Sequence, residues 1–139
     1  MQQGQLLLSV IALFPFISWL ALRFFKNFEG LYNFSYYLFP ILFLINLFQA
    51  SQYFKLELNQ LIILEAVRGL SMSIYVDKLS LVFLYVLGFI WLLFSFYSTR
   101  YFQILSNKNS YFIKGYFLLI VSFLNFLILS ENLFTILFF

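Results

Sequence analysis

Four side chains in this sequence could hold or move a proton in an apolar setting. Asp77 and Lys78 stand side by side at the head of a run, 79–99, that carries no formal charge. Lys114 lies near the start of the next apolar run, and Glu131 directly follows it. Ionisable groups at or within a membrane span are the first candidates for an ion or proton relay. Here Asp77 and Glu131 lead the others for that role. Interfacial anchoring and loop pairing are the plainer account, because each residue can reach water by its position or by extending its stem. Asp77, Lys78 and Glu131 are therefore expected to be structural or adjacent to a proton path.

Little other chemistry is open to the chain. It has no histidine and no cysteine, which removes disulfides, thiolate metal sites, iron–sulfur clusters and histidine-ligated haem. No glycine-rich phosphate loop, nucleophile elbow or metal-ligand spacing occurs. The expectation is no catalytic, cofactor-binding or metal-binding residue, and no catalysis by this chain alone. The net charge of +3 is spread out, so nucleic-acid binding has no support.

The elements that carry these residues follow from composition. Of the 139 residues, 64% are hydrophobic and 9% charged, against about 25% charged in a soluble domain. A soluble chain of this size could not hide that much apolar surface. The expected class is an all-α integral membrane protein of one domain, with helices at about 6–25, 36–50, 79–99 and 111–129. A run of about 20 apolar residues matches the bilayer's hydrocarbon core. The first run lacks the basic leader and small-residue cleavage site of a signal peptide. Pro15 and Pro40 interrupt runs one and two, which membrane helices tolerate when neighbours satisfy the freed backbone. Asn46 and Gln49, three apart, and Asn125 are expected to bond to neighbouring helices. Gly88 is expected to allow close helix approach.

Between runs one and two, 26–35 reads as a polar turn. Between runs two and three, FKLELNQ and SMSIYVD alternate apolar and polar residues, the period of a strand. LIILEAVRGL between them is ambiguous, with Gly69 as the turn candidate, so the segment is expected to be a small hairpin-like loop. After run four, 130–132 (SEN) reads as an N-cap cluster opening a fifth apolar stretch, 133–139. Seven residues reach only about 10 Å. Either another polypeptide completes that helix or the stretch stays near the interface. Arg23, Lys26, Arg100, Lys108 and Lys114 flank the 1–2 and 3–4 connections against one acid, Glu29. The positive-inside rule puts those connections in the cytoplasm or matrix and the N-terminus on the opposite side.

Several short motifs come in a familiar order: IYVDKLSL (74–81), FYSTRYF (96–102), the aromatic start of run four and LSENLFTILFF (129–139). An early LFP (13–15) belongs with them. Together they resemble the N-terminal part of the antiporter-like subunits of respiratory complex I, above all subunit 5, with its D-G-L-S, Y-S-x-x-Y-M and A-D-N-L-L-like elements. Mrp-type cation/proton antiporter subunits share much of the pattern. The resemblance implies scaffold helices in a proton-translocating NADH:ubiquinone oxidoreductase. It implies partners in the other membrane-arm subunits and in a second polypeptide carrying the remaining helices. NADH, FMN, iron–sulfur clusters and ubiquinone would be bound elsewhere in that complex, in a mitochondrial inner membrane or a bacterial plasma membrane. Lys78 departs from the family's usual glycine and Glu131 from its frequent aspartate. The family's key membrane glutamate follows the fifth helix in a Trp-Glu element, which does not occur within these 139 residues, so no pump residue transfers. A fragment of an Mrp-type antiporter and a lineage-specific structural or assembly membrane protein are the alternatives.

Overall fold

The computed structural model describes residues 2–25, 28–54, 60–67, 70–105 and 110–130. Four helices, α1 (Gln2–Phe25), α2 (Glu29–Phe54), α3 (Lys78–Leu105) and α4 (Ser110–Leu129), enclose one core. Two strands, β1 (Gln60–Val67) and β2 (Leu70–Tyr75), lie between α2 and α3. Each helix contains a stretch long and apolar enough to cross a membrane: Leu8–Phe25, Gly30–Gln52, Lys78–Tyr101 and Tyr111–Leu129. The protein is an all-helical membrane protein with a small hairpin on one connection.

The helices form a ring in which α1 touches α2 and α4, and α3 touches α2 and α4. Aromatic side chains set the layers. Phe14 meets Phe39 and Phe43 at 6.4 and 6.0 Å, and Phe43 meets Trp91 at 5.6 Å. Phe94 and Phe117 stack at 3.6 Å between α3 and α4. Lipid tails are as apolar as these rings, so packing and polar ties, rather than escape from water, hold the helices together. The outer surface is correspondingly greasy. Phe24, Phe34, Phe48, Leu79, Phe89 and Leu93 are all exposed. On a soluble monomer such patches would be interaction or aggregation surfaces; here they face the bilayer's hydrocarbon.

α2 starts seven residues earlier than the apolar run suggests, so the expected polar turn at 26–35 shrinks. Tyr32 N–H donates to Phe28 O at 2.8 Å, and Phe28 N–H closes a turn on Phe25 O at 2.9 Å. The polar residues Asn33 and Ser35 continue the helix because the bundle takes them in: Ser35 is buried and Asn33 meets Lys114. Gln49 is exposed rather than aimed at a neighbour. Asn46 donates to Leu42 O of its own helix at 2.8 Å, a bond one turn back that satisfies the amide N–H without an interhelical partner.

The strands pair antiparallel, and the register has two irregularities, at Ile62/Leu64 and Glu65/Val67. Leu61, Leu64 and Val67 fall opposite Ile74, Met72 and Leu70, while Gln60 and Glu65 fall opposite Tyr75 and Ser71. Each bulge adds a residue, so apolar positions spaced by three in β1 pair with positions spaced by two in β2. That is why 61–70 reads as ambiguous by simple period. The first residue of FKLELNQ, Phe54, ends α2 instead of starting a strand, and 55–59 lie outside the described residues. Gly69, the expected turn residue, and 131–139, with Glu131 and the expected fifth helix, lie outside the described residues. Ser130 closes the end of α4: its hydroxyl donates to Leu127 O at 2.7 Å. The hairpin touches α1 and α4, so it lies at the end of the bundle that holds the α1 N-terminus.

Gly88 lies at the α2–α3 crossing. A Cβ there would stand 2.7 Å from Leu44 Cδ2 and 3.1 Å from Phe43 Cδ1. The tip of Leu44 can swing away, and alanine gains about 1 kcal/mol of helix propensity over glycine. Gly88→Ala should therefore stay within about 1 kcal/mol of the parent. Gly88→Ile has no such escape and should lose about 1–3 kcal/mol by overpacking. Reversible unfolding in mixed detergent, followed by circular dichroism, reads both; equal effects of the two substitutions would refute the close crossing.

Candidate functional site

Among the described residues, the polar side chains that tie or cap the helices form three groups. The first joins α4 to α1. Pro15 has no N–H, so the carbonyl one turn earlier, Ile11 O, loses its helical donor. Asn125 is fully buried, and its Nδ2 donates to Ile11 O and Ala12 O, both at 3.0 Å. The asparagine supplies from a neighbouring helix the donor that proline withholds. Its Oδ1 and the Trp91 Nε1 are buried without a hydrogen-bond partner among the described residues.

The second group caps α3. Asp77 Oδ1 accepts the Ser80 N–H at 2.6 Å, and Asp77 O accepts the Leu81 N–H at 3.0 Å. Aspartate three residues before the donating amide is a helix N-cap that satisfies an otherwise orphan donor. The Ser80 hydroxyl lies 3.3 Å from Ile128 O, tying the start of α3 to the end of α4. Hydrogen bonds from the Ser80 side chain and amide hold the Asp77 carboxyl below its ordinary value of 3.8, against a smaller opposing push from burial. Lys78, the first residue of α3, is exposed.

The third group surrounds Lys114, which is 4% exposed. Its Nζ stands 5.6 Å from the Tyr32 ring and 5.0 Å from the Tyr36 ring, and 3.5 Å from Asn33 Oδ1. Two π faces and an amide oxygen meet the ammonium. Tyr32 and Tyr36 stack at 6.2 Å, and Tyr111 meets Tyr32 edge-on at 4.9 Å. The Ser98 hydroxyl, on α3, lies 3.4 Å from Tyr36 OH. This cluster can hold a cation. It does not extend into a relay among the described residues, because the next hydroxyls turn back on their own helix. Ser95 donates to Trp91 O at 2.9 Å and Thr99 to Ser95 O at 3.0 Å.

Of the residues singled out from the sequence, Asp77 is thus placed as a cap and Lys78 at the surface, while Glu131 lies outside the described residues. The structure gives Lys114 a different place from the interfacial one expected. It is enclosed by α2 and α4, because Lys114, Leu118, Val121, Asn125 and Leu129 share one buried face of α4. That spacing of three and four was readable: Asn125 was already assigned inward, and counting back three turns reaches Lys114. Among the described residues no group of three or more acids, histidines or cysteines could hold a metal ion. No family model, no curated protein and no solved structure matches the chain.

Asp77 yields a pH prediction. A carboxylate held below its unfolded pKa adds stability above the unfolded value and loses it as pH falls through the folded one. Asp77→Ala should cost about 0.5–2 kcal/mol at pH 7 through the lost cap. Asp77→Asn keeps a capping oxygen and loses the charge. The stability gap between parent and Asp77→Asn, present at pH 7, should close as pH drops below 3.8. A gap unchanged down to strongly acidic pH would show that the carboxylate's charge contributes nothing to the cap.

Proposed function

We propose that this protein is a scaffold component of an antiporter-like module, of the subunit 5 type, in a proton-translocating NADH:ubiquinone oxidoreductase. The observation that carries the reading is an arrangement. A hairpin stands between spans two and three, and the aspartate of the family-like VDKLS stretch then caps span three and ties it, through Ser80, to the end of span four. That is the order the motif resemblance implies, and it gives the most family-like wording a structural task. The chain would supply packing helices beside the helices that carry the pump's acid and lysine, and would bind no cofactor itself. Its partners would be the other membrane-arm subunits, in a mitochondrial inner membrane or a bacterial plasma membrane.

A structural membrane protein without a proton path is the second reading. It is favoured by the hydroxyls of Ser18, Ser95, Thr99 and Ser122, which all donate within their own helices instead of to one another across the bundle.

Mild-detergent extraction, a native gel stained for NADH dehydrogenase activity and peptide mass spectrometry of the active band separate these. Comigration of this chain with NADH activity and with a polypeptide carrying the remaining antiporter-like helices is the expected result. An active complex that contains an intact subunit 5 and excludes this chain would overturn the proposal. A band with antiporter subunits but no quinone-reducing subunits would place the chain in an Mrp-type machine.

A further inference from the structure

On the face of the bundle formed by α1 and α4, near the Lys114 cluster, lies an open groove of about 410 Å³. Its walls include Trp19, Leu22 and Arg23 from α1, and Tyr111, Gly115 and Tyr116 from α4. Arg23 is in the last turn of α1, and Tyr111 is at the start of the fourth span. The groove therefore sits at one membrane–water boundary, where tryptophan and tyrosine rings favour the headgroup level. Its geometry points to a binding site for the phosphodiester headgroup of an anionic glycerophospholipid, with Arg23 as the phosphate ligand.

Several observations converge on that occupant. Among the described residues the lining holds a guanidinium and no carboxylate, so its charge complements an anion. The Arg23 guanidinium is exposed and lies 5.8 Å from the Trp19 ring. That cation–π contact biases the guanidinium toward the groove wall, so less freedom is lost when it grips a phosphate. Gly115 keeps the groove open: a Cβ there would stand 3.9 Å from Trp19 Nε1, and that indole N–H is a second donor at the wall. Below the polar rim, Leu22 and Leu119 give apolar lining that suits the start of an acyl chain. Phe112 and Tyr116, which flank the groove, are 59% and 64% exposed, so a lipid can enter sideways from the bilayer. The volume is within the range of small-ligand sites. The site rests on the membrane-protein fold and not on the proposed membership of a respiratory complex.

Trp19 is a built-in reporter. The chain has two tryptophans, and Trp91→Phe leaves Trp19 alone. The full chain with that substitution is placed in phosphatidylcholine vesicles doped with dibrominated phosphatidylglycerol or dibrominated phosphatidylcholine. Bromine quenches a tryptophan it touches. The phosphatidylglycerol should quench Trp19 at roughly five-fold lower mole fraction, the factor given by one basic residue at an anionic surface. Arg23→Gln should bring the two lipids level, and Arg23→Lys should restore part of the preference. Gly115→Leu, which fills the groove and leaves Arg23 in place, should also remove it. Inorganic phosphate in the buffer should leave the preference unchanged. Native mass spectrometry of the unsubstituted chain from mixed vesicles reads the same preference as retained lipid. Equal quenching in the parent, or a preference that survives Arg23→Gln, overturns the site. Competition by inorganic phosphate would make it a soluble-anion site. A Trp19 shielded from both lipids until the protein is diluted in the bilayer would give the groove to a second copy of this chain.

Discussion

The bundle depends on a debt at Pro15 that Asn125 settles. A carbonyl without a donor inside a bilayer is expensive, because no water is there to take it. Asn125 reaches that carbonyl, Ile11 O, and its neighbour Ala12 O, and in doing so fixes α4 against α1 in depth and rotation. The buried face of α4 is then set: Leu118 and Val121 point inward with Asn125, and so does Lys114. The lysine's enclosure by Tyr32, Tyr36 and Asn33 follows from the same rotation that delivers the asparagine. At the other end of α4, the Ser80–Ile128 contact brings in the capped start of α3.

Small residues and aromatic rings complete what the polar ties begin. Gly88 lets α2 and α3 approach until Phe43 and Trp91 touch. The hydroxyls of Ser18, Ser95, Thr99 and Ser122 cost little because each bonds one turn back on its own helix. Among the described residues, Asn125, Ser80, Ser98 and Lys114 are polar side chains with an interhelical task.

Much of this was legible in the amino-acid sequence, for physical reasons. Four long apolar runs have one stable solution in a bilayer, so the spans could be read from composition and length. Asn125 and Gly88 could be assigned to helix contacts because a buried amide and a bare backbone have few other uses there. What escaped was the joining of features. Pro15 and Asn125 were each recognised, and an antiparallel pairing of spans one and four puts them at similar depth, yet neither names its partner without a register. Asn46 misled because its amide has a local alternative one turn back. The hairpin's first strand hid behind two bulges that break the period of two. Lys114 reads as an interfacial anchor because span four starts at Tyr111; its inward rotation is fixed by a residue three turns further on.

The most direct measurement is a double-mutant cycle between the two partners of the central tie. Asn125→Leu removes the donor, and Pro15→Ala restores an N–H to Ile11 O from within α1. Unfolding free energies of the four proteins are measured in mixed detergent. Asn125→Leu should cost about 1–2 kcal/mol in the parent, where it strands a buried carbonyl. It should cost at least about 0.5 kcal/mol less in the Pro15→Ala background, a coupling of the size expected for residues sharing one hydrogen bond. The same cost in both backgrounds would mean that Asn125 does not serve the carbonyl freed by Pro15, and the account of how α1 and α4 are held together would fail.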